Sequence, residues 1–176
     1  MQKPEHLARK TVYASDWVNL HLDKVRFPGG RVIDEFHLVD IVNDAVAVVI
    51  QNENGDFLLI QSLRYPTDSV EWEIPGGNVD AGEGIIETAM REAVEESGYQ
   101  VRDVEHFHSF YPMIGRSNMT FHITRATAVE KVRDPDPNEV GGVRWVTRDE
   151  LKRMISNREI RDGYSLVGLL WTLLDL

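Results

Sequence analysis

GGNVDAGEGIIETAMREAVEESGY, running from Gly76 to Tyr99, joins a glycine-rich turn to a short helix whose charges lie the wrong way round. Ile85, Ile86, Ala89, Met90, Ala93 and Val94 recur at helical spacing, which predicts one amphipathic helix over residues 84–97. Gly98 is its natural C-terminal stop. Glu92, Glu95 and Glu96 fall in the last two turns, where the macrodipole is negative and each anion costs about 0.3–1 kcal/mol. Like charges three and four residues apart add roughly 0.2–0.5 kcal/mol per pair.

At about 100° per residue the three carboxylates fall within an arc of ~100° and converge. Taken alone, that arrangement has two readings. One is a solvated acidic face, as most charge runs are. The other is a divalent-cation site, because converging hard oxygens suit Mg²⁺ beside substrate phosphates and the cation reverses the sign of the repulsion.

The flanks separate these readings. Gly77, five residues, Glu83, seven residues, and then Arg91-Glu92-Ala93-Val94-Glu95-Glu96-Ser97-Gly98 resemble the Nudix box. Every fixed position is filled, and the final aliphatic position departs, carrying Tyr99. Leu63-Arg64-Tyr65-Pro66, Glu71-Trp72-Glu73-Ile74-Pro75 and Tyr111-Pro112-Met113-Ile114-Gly115-Arg116-Ser117-Asn118 resemble the ADP-ribose pyrophosphatase group of that family, with Ile114 where many members have proline. The likeness runs from about Trp17 to the C-terminal helix.

Composition sets bounds around that motif. A chain of 176 residues suits one domain with a sizeable core and a small N-terminal addition. The absence of cysteine excludes a disulfide framework, a thiolate metal site and a cysteine nucleophile. A net charge of −10 argues against a nucleic-acid partner. No apolar run reaches the ~18 residues of a membrane span and no charged-then-apolar leader opens the chain, so the expected setting is the cytoplasm.

Residues 1–16 lack periodicity and are expected to wander. Alternation in Trp17–Val25 and Arg31–Val39 about Pro28-Gly29-Gly30 predicts a β-hairpin. Ala45–Ile50 is a continuous apolar run suited to a strand buried on both faces, and Asn54-Gly55 turns it into a strand from Phe57 to Gln61. Further strands are expected at Val101–Phe110, Met119–Ala128 and Val143–Val146, and helices at Asp149–Ser156 and 164–175, the last largely buried. The stretch Arg133–Glu139 has two prolines and no apolar residue, and reads as an exposed loop suited to a lid. Trp72, Trp145 and Trp171 are assigned to the core, and His106, His108 and His122, which lack zinc-site spacing, to structural roles. The pattern is an α/β fold, an α/β/α sandwich around a mixed β-sheet with an N-terminal antiparallel β-hairpin extension, and the Nudix resemblance implies the same fold. Residues 1–44 are expected to form the hairpin region and 45–176 the Nudix domain.

The resemblance implies a Mg²⁺-dependent hydrolase, with Mn²⁺ as an alternative, that cleaves ADP-ribose or a related nucleoside diphosphate sugar to a nucleoside monophosphate and a sugar phosphate by metal-activated water. It assigns Glu92, Glu95, Glu96 and the Gly76 carbonyl as metal ligands, with Glu95, Arg91 and Glu139 in catalysis. Arg91 orients the carboxylates by ion pairing. Glu139 lies on the loop before the last strand, where the group places an acid serving the attacking water. Glu83 either supports this site through Arg91 or is an acidic residue favoured at the helix start. Relatives use the hairpin to dimerise and stack the base, which points to Trp17 and Phe36, while Arg64 suits the diphosphate or terminal ribose. The same box also occurs in hydrolases of other dinucleotides or nucleoside triphosphates, and the fold in non-catalytic nucleotide-sugar sensors.

Overall fold

A computed structural model of the chain describes residues 2–175. The backbone groups into two compact units, Ala45–Ser109 with Phe121–Leu176, and Met1–Asp44 with Phe110–Thr120. In the first unit β4 (Ala45–Gln51) is central. Its run of six apolar residues is fully buried, as a strand covered on both faces must be. It pairs in parallel with β9 (Phe121–Lys131) and antiparallel with β5 (Phe57–Arg64) and β7 (Gly76–Asn78). The strand order is β10-β5-β4-β9-β8, with β10 at Val140–Val146 and β8 at Tyr99–Phe110, while β6 (Ser69–Glu73) pairs with β5.

Alternation along β4 places helices on both faces. Val46, Val48 and Ile50 pack with Ala89 and Ala93, the small residues of the acidic helix segment. Val49 faces the other way, toward Gly168 of α3 (Gly163–Leu173). The helix α1 (Ile85–Glu92) and α3 therefore sandwich the sheet, and α2 (Arg148–Ser156) buries Leu151 and Met154. Thr147 and Asp162 cap α2 and α3, their side chains accepting the N–H groups of Glu150 and Ser165. Among the described residues no helix is long and apolar enough to cross a membrane.

The second unit is a three-stranded antiparallel sheet, β1 (Glu5–Tyr13), β2 (Val18–Arg26) and β3 (Val32–Ile41). The expected hairpin is present as β2 and β3, and residues 5–13, expected to wander, add a third strand. Their pairing is carried by the backbone ladder and by an Arg9–Asp23 fork at 2.8 Å through each nitrogen, not by buried apolar residues. Residues 110–120 join this unit because Asn118 Oδ1 accepts the Ile41 N–H at 2.9 Å and Val39 N–H donates to the Arg116 carbonyl at 2.8 Å.

Two further expectations are corrected. Trp72, Trp145 and Trp171 are half-buried, not core, and lie against Arg144, Tyr99 and His108 respectively. The core instead consists mainly of aliphatic residues of strands and helices, with Met154, Phe57 and Phe121. The last helix buries only Ser165, Gly168 and Leu169, and Leu170 is exposed.

A Cβ on Gly168 would lie 3.1 Å from each of Ile123, Ile74 and Val49. Gly168→Val is expected to lower unfolding stability by about 1–3 kcal/mol through overpacking. Denaturant melts read this as a lower midpoint, and an unchanged midpoint would contradict the close seating of α3.

Candidate active site

The acidic segment begins as an α-helix and widens at its end. α1 stops at Glu92, and Ala93–Ser97 form a single π turn closed by Gly98, φ +81°. Such turns insert an extra residue into the ladder and recur at functional sites. A side chain at Gly98 would be strained by that φ and would strike the Arg133 carbonyl. Gly98 thus lets the 132–139 loop lie against the end of the acidic segment, where its own carbonyl accepts the Val132 N–H at 2.8 Å.

Arg91 is the hub. Its Nε donates to Glu83 Oε1 at 3.0 Å, and its Nη1 to Glu92 Oε1 at 2.7 Å and Glu95 Oε2 at 3.0 Å. Nη2 reaches Glu83 Oε2 at 3.0 Å and the Asn78 carbonyl at 3.1 Å. One guanidinium therefore ties the turn before the helix to the carboxylates at its end. Glu83 also accepts from Thr88 Oγ1 at 2.8 Å, and Arg91 foremost, with Thr88, brings its carboxyl down to about 2. Of the two readings of Glu83, the structure places it on Arg91.

Glu92 is 8% exposed, and burial, reinforced by the charges of Glu95 and Glu139, raises its pKa against the pull of Arg91. Glu96 has no arginine fork. Its Oε2 accepts one backbone bond, the Gly76 N–H at 2.7 Å, and burial pushes its carboxyl up to about 7, with Glu92 and Glu139 adding to the rise and Arg64 opposing it. Gly76 reaches the cluster through this N–H, and a side chain at Gly77 would run into the Glu92 carboxylate.

Glu139 is exposed, but its charge is felt by both Glu92 and Glu96, and its carbonyl accepts the Leu63 N–H at 3.2 Å. Arg64 forks onto buried Glu73, Nε to Oε1 at 2.9 Å and Nη2 to Oε2, and its charge also feels Glu96. The structure thus gathers Gly76, Arg91, Glu92, Glu95 and Glu96 by hydrogen bonds, and Arg64 and Glu139 by charge. Trp17 and Phe36 belong to the other unit, Trp17 at 72% exposure and Phe36 under Arg116 at 5.6 Å.

Among the described residues no three His, Asp or Glu side chains form a ready-made metal cage. The donor set nonetheless fits a divalent cation. Glu92, buried, and Glu96, half-buried, repel each other, both have raised pKa values, and only Glu92 is hydrogen-bonded by an arginine. An oxygen-seeking cation supplies the missing positive charge.

The sequence reading passed over Glu71, Glu73 and Arg161. Glu71 and Glu73 alternate on β6 and are both buried, and each takes a bidentate arginine, Arg161 and Arg64. The alternation Glu71-Trp72-Glu73-Ile74 was the available signal. Nothing local marks Arg161, which stands 90 residues from its partner.

The sign of the Glu96 shift gives a test without substrate. A carboxyl raised in the folded state binds its proton more tightly there, so its contribution weakens stability as pH climbs from about 4.5 to about 7 and stays unfavourable above. Glu96→Gln keeps an acceptor for the Gly76 N–H and removes the charge. In metal-free buffer at pH 8 it is expected to be more stable than the parent by up to about 3 kcal/mol, with the gap closing below pH 4.5. Millimolar Mg²⁺ should raise the melting temperature of the parent and not of the variant. A variant less stable than the parent at pH 8 would contradict the charge assignment.

A NUDIX domain model matches residues 42–165. The chain is 34% identical over 163 residues, 92% of its length and 78% of the relative's, to a CMP-5'-(N-acetyl-N-hydroxy-3-aminopropyl)phosphonate hydrolase of Streptomyces rubellomurinus. It is 27% identical over 162 residues, 89% of its length and 85% of the relative's, to an ADP-ribose pyrophosphatase of Bacillus subtilis. A crystal structure of an ADP compounds hydrolase superposes with a TM-score of 0.84 over 98% of this chain and 93% of that one, at 20% identity, and shows the same fold. With its box filled from Gly77 to Gly98 and the family model spanning most of its length, the chain belongs to the Nudix family.

Proposed function

We propose that the protein is a Mg²⁺-dependent pyrophosphohydrolase that cleaves the diphosphate of ADP-ribose or a related nucleoside diphosphate sugar. The observation that carries this reading is the pair Glu92 and Glu96, one buried and one half-buried where α1 passes into the π turn, whose carboxyls burial and mutual repulsion both raise. Glu92, Glu95, Glu96 and Gly76 would hold the cation, which supplies neutralisation of the diphosphate and activation of the attacking water. Arg91 fixes the rotamers of Glu92 and Glu95, so those carboxylates are set before substrate arrives. Glu139, exposed on its loop with its charge acting on Glu92 and Glu96, would take the proton of the attacking water. Trp17, with most of its ring free, and Phe36 are suited to stack a base. The exposed Val12, Tyr13, Trp17 and Leu20 of the three-stranded sheet support a homodimer formed through that unit.

The likeness to the Streptomyces rubellomurinus protein favours a second reading in which the substrate is a CMP-linked phosphonate. Product analysis decides between them. Purified protein with Mg²⁺ is offered ADP-ribose, ADP-glucose, GDP-mannose, a CMP-linked phosphonate and nucleoside triphosphates. Nucleoside monophosphate and sugar phosphate from the first three are expected, CMP release alone would select the second reading, and inactivity on all would remove both.

Two substitutions test the assigned roles. Glu96→Gln should lower turnover by on the order of 100-fold or more while leaving the fold intact, since even outer partners of metal ligands cost about 10–100-fold. Glu139→Gln should lower kcat by on the order of 100-fold with little change in KM. Parent-like kcat in either variant at saturating Mg²⁺ would withdraw the corresponding role.

A further inference from the structure

β6 sets Glu71 and Glu73 on the same face of one strand, 8% and 3% exposed. Two buried neighbouring carboxylates require cations of their own. Arg64 supplies Nε and Nη2 to Glu73, and Arg161 supplies Nε, at 3.0 Å, and Nη2 to Glu71. Both forks spend the same two nitrogens. Nη1 of each arginine is thus without a hydrogen-bond partner among the described residues, although the side chains are 48% and 63% exposed.

Both arginines line a cleft of about 620 Å³ with Thr67, Ser69, Asp162 and Tyr164. That volume lies within the roughly 300–1,000 Å³ usual for small-molecule sites. The ring of Tyr164 is held flat by stacking on Phe121 at 4.0 Å, a surface that suits the C–H face of a sugar ring. The charges decide the ligand class. The two guanidiniums are matched by two carboxylates, and Asp162 adds a further negative charge while accepting the Ser165 N–H and hydroxyl at 2.7 Å each. The cleft therefore offers N–H and O–H groups without net positive charge. It disfavours another anion and favours a neutral group rich in hydroxyls. Arg64 connects it to the acidic helix end, since the Glu73 it forks stands three residues before Gly76, whose N–H donates to Glu96 at 2.7 Å.

We propose that this cleft seats the polyhydroxy sugar at the far end of the substrate's diphosphate, with Arg161, Thr67 and Ser69 reading its hydroxyls and Arg64 at the junction with the phosphates. The assignment rests on the diphosphatase reading above. It makes Arg161 and β6 determinants of which sugar is accepted.

The test compares kcat/KM for ADP-ribose with that for the methyl ester of ADP, which keeps the diphosphate and lacks the sugar. Gly163 lines the cleft at the start of α3, its φ is not positive and a Cβ there meets nothing within 4 Å, so Gly163→Phe fills the cleft without strain at that position. The ratio of the two kcat/KM values should fall about tenfold or more in this variant, as expected when a site that hydrogen-bonds hydroxyls is blocked. Arg161→Lys, which keeps a cation beside Glu71 and loses the fork, should shift the ratio the same way. A ratio unchanged in both variants, each with a cooperative melt, overturns the cleft assignment and leaves the diphosphatase reading standing. A parent protein that cleaves neither compound with Mg²⁺ overturns the diphosphatase reading and the cleft assignment with it.

Discussion

The guanidinium of Arg91 joins what would otherwise separate. Glu83 precedes the helix, Glu92 and Glu95 lie at its end, and Asn78 belongs to the glycine-rich strand, yet all four meet one planar cation. Remove the positive charge and the end of α1 holds three glutamates against an adverse macrodipole. With it in place the acids adopt one arrangement, and only Glu96 is left with a lone backbone partner. The departure from ordinary helix electrostatics is thus greatest at Glu96, the half-buried carboxyl whose pKa is pushed up to about 7.

The same device recurs a strand away. Glu71 and Glu73 are as deeply buried as Glu92, and each takes a planar fork in place of a point charge. Replacing a buried ion pair by apolar residues is often neutral or stabilising, so such pairs are poor stabilisers in themselves. What they supply here is orientation. A guanidinium fixed along one edge presents its remaining N–H groups in a set direction, which a mobile surface arginine cannot do.

The sequence revealed the parts of this fold that depend on burial and hid those that depend on backbone pairing or distant partners. Ala45–Ile50 was readable because burial is continuous there, the helix because Ala89 and Ala93 are buried and Ile85, Ile86 and Val94 half-buried at its spacing, although Met90 of the same stripe is exposed, and Gly98 because its left-handed backbone ends the helix. The strand Glu5–Tyr13 was not, since eight of its nine residues are exposed and no alternation survives when neither face is covered. The π turn at Ala93–Ser97 changes which carbonyl each N–H selects and leaves the side-chain pattern untouched. Tryptophan misled because bulk was equated with the core, whereas Trp72 lies under Arg144, Trp171 stacks on His108, and Trp145 meets Tyr99 edge-on, its Nε1 donating to the Tyr99 hydroxyl. In the candidate site helical spacing made the carboxylates converge but left two readings open, and the Nudix resemblance, not the spacing, pointed to Arg91. The Glu71–Arg161 pair, 90 residues apart, was legible only from the β6 side, as two acids alternating in a strand that had to be buried.

Polar burial also shapes the three-stranded sheet, by a different route. Asn19, His21 and Asp23 share one face of β2, where alternation would ordinarily set apolar residues, and His21 and Asp23 are 7% and 5% exposed. His21 lies 3.0 Å from Thr11 and 3.2 Å from Asp40, and Asp40 accepts Asn118 Nδ2 at 2.6 Å. Leu20 projects from the opposite face and is 41% exposed. This unit therefore inverts the usual order, polar network inside and apolar side chains outward. A one-residue slip of β2 against β1 or β3 would break the Arg9–Asp23 fork and the His21–Asp40 contact together, so directional hydrogen bonds fix its register in place of a hydrophobic face.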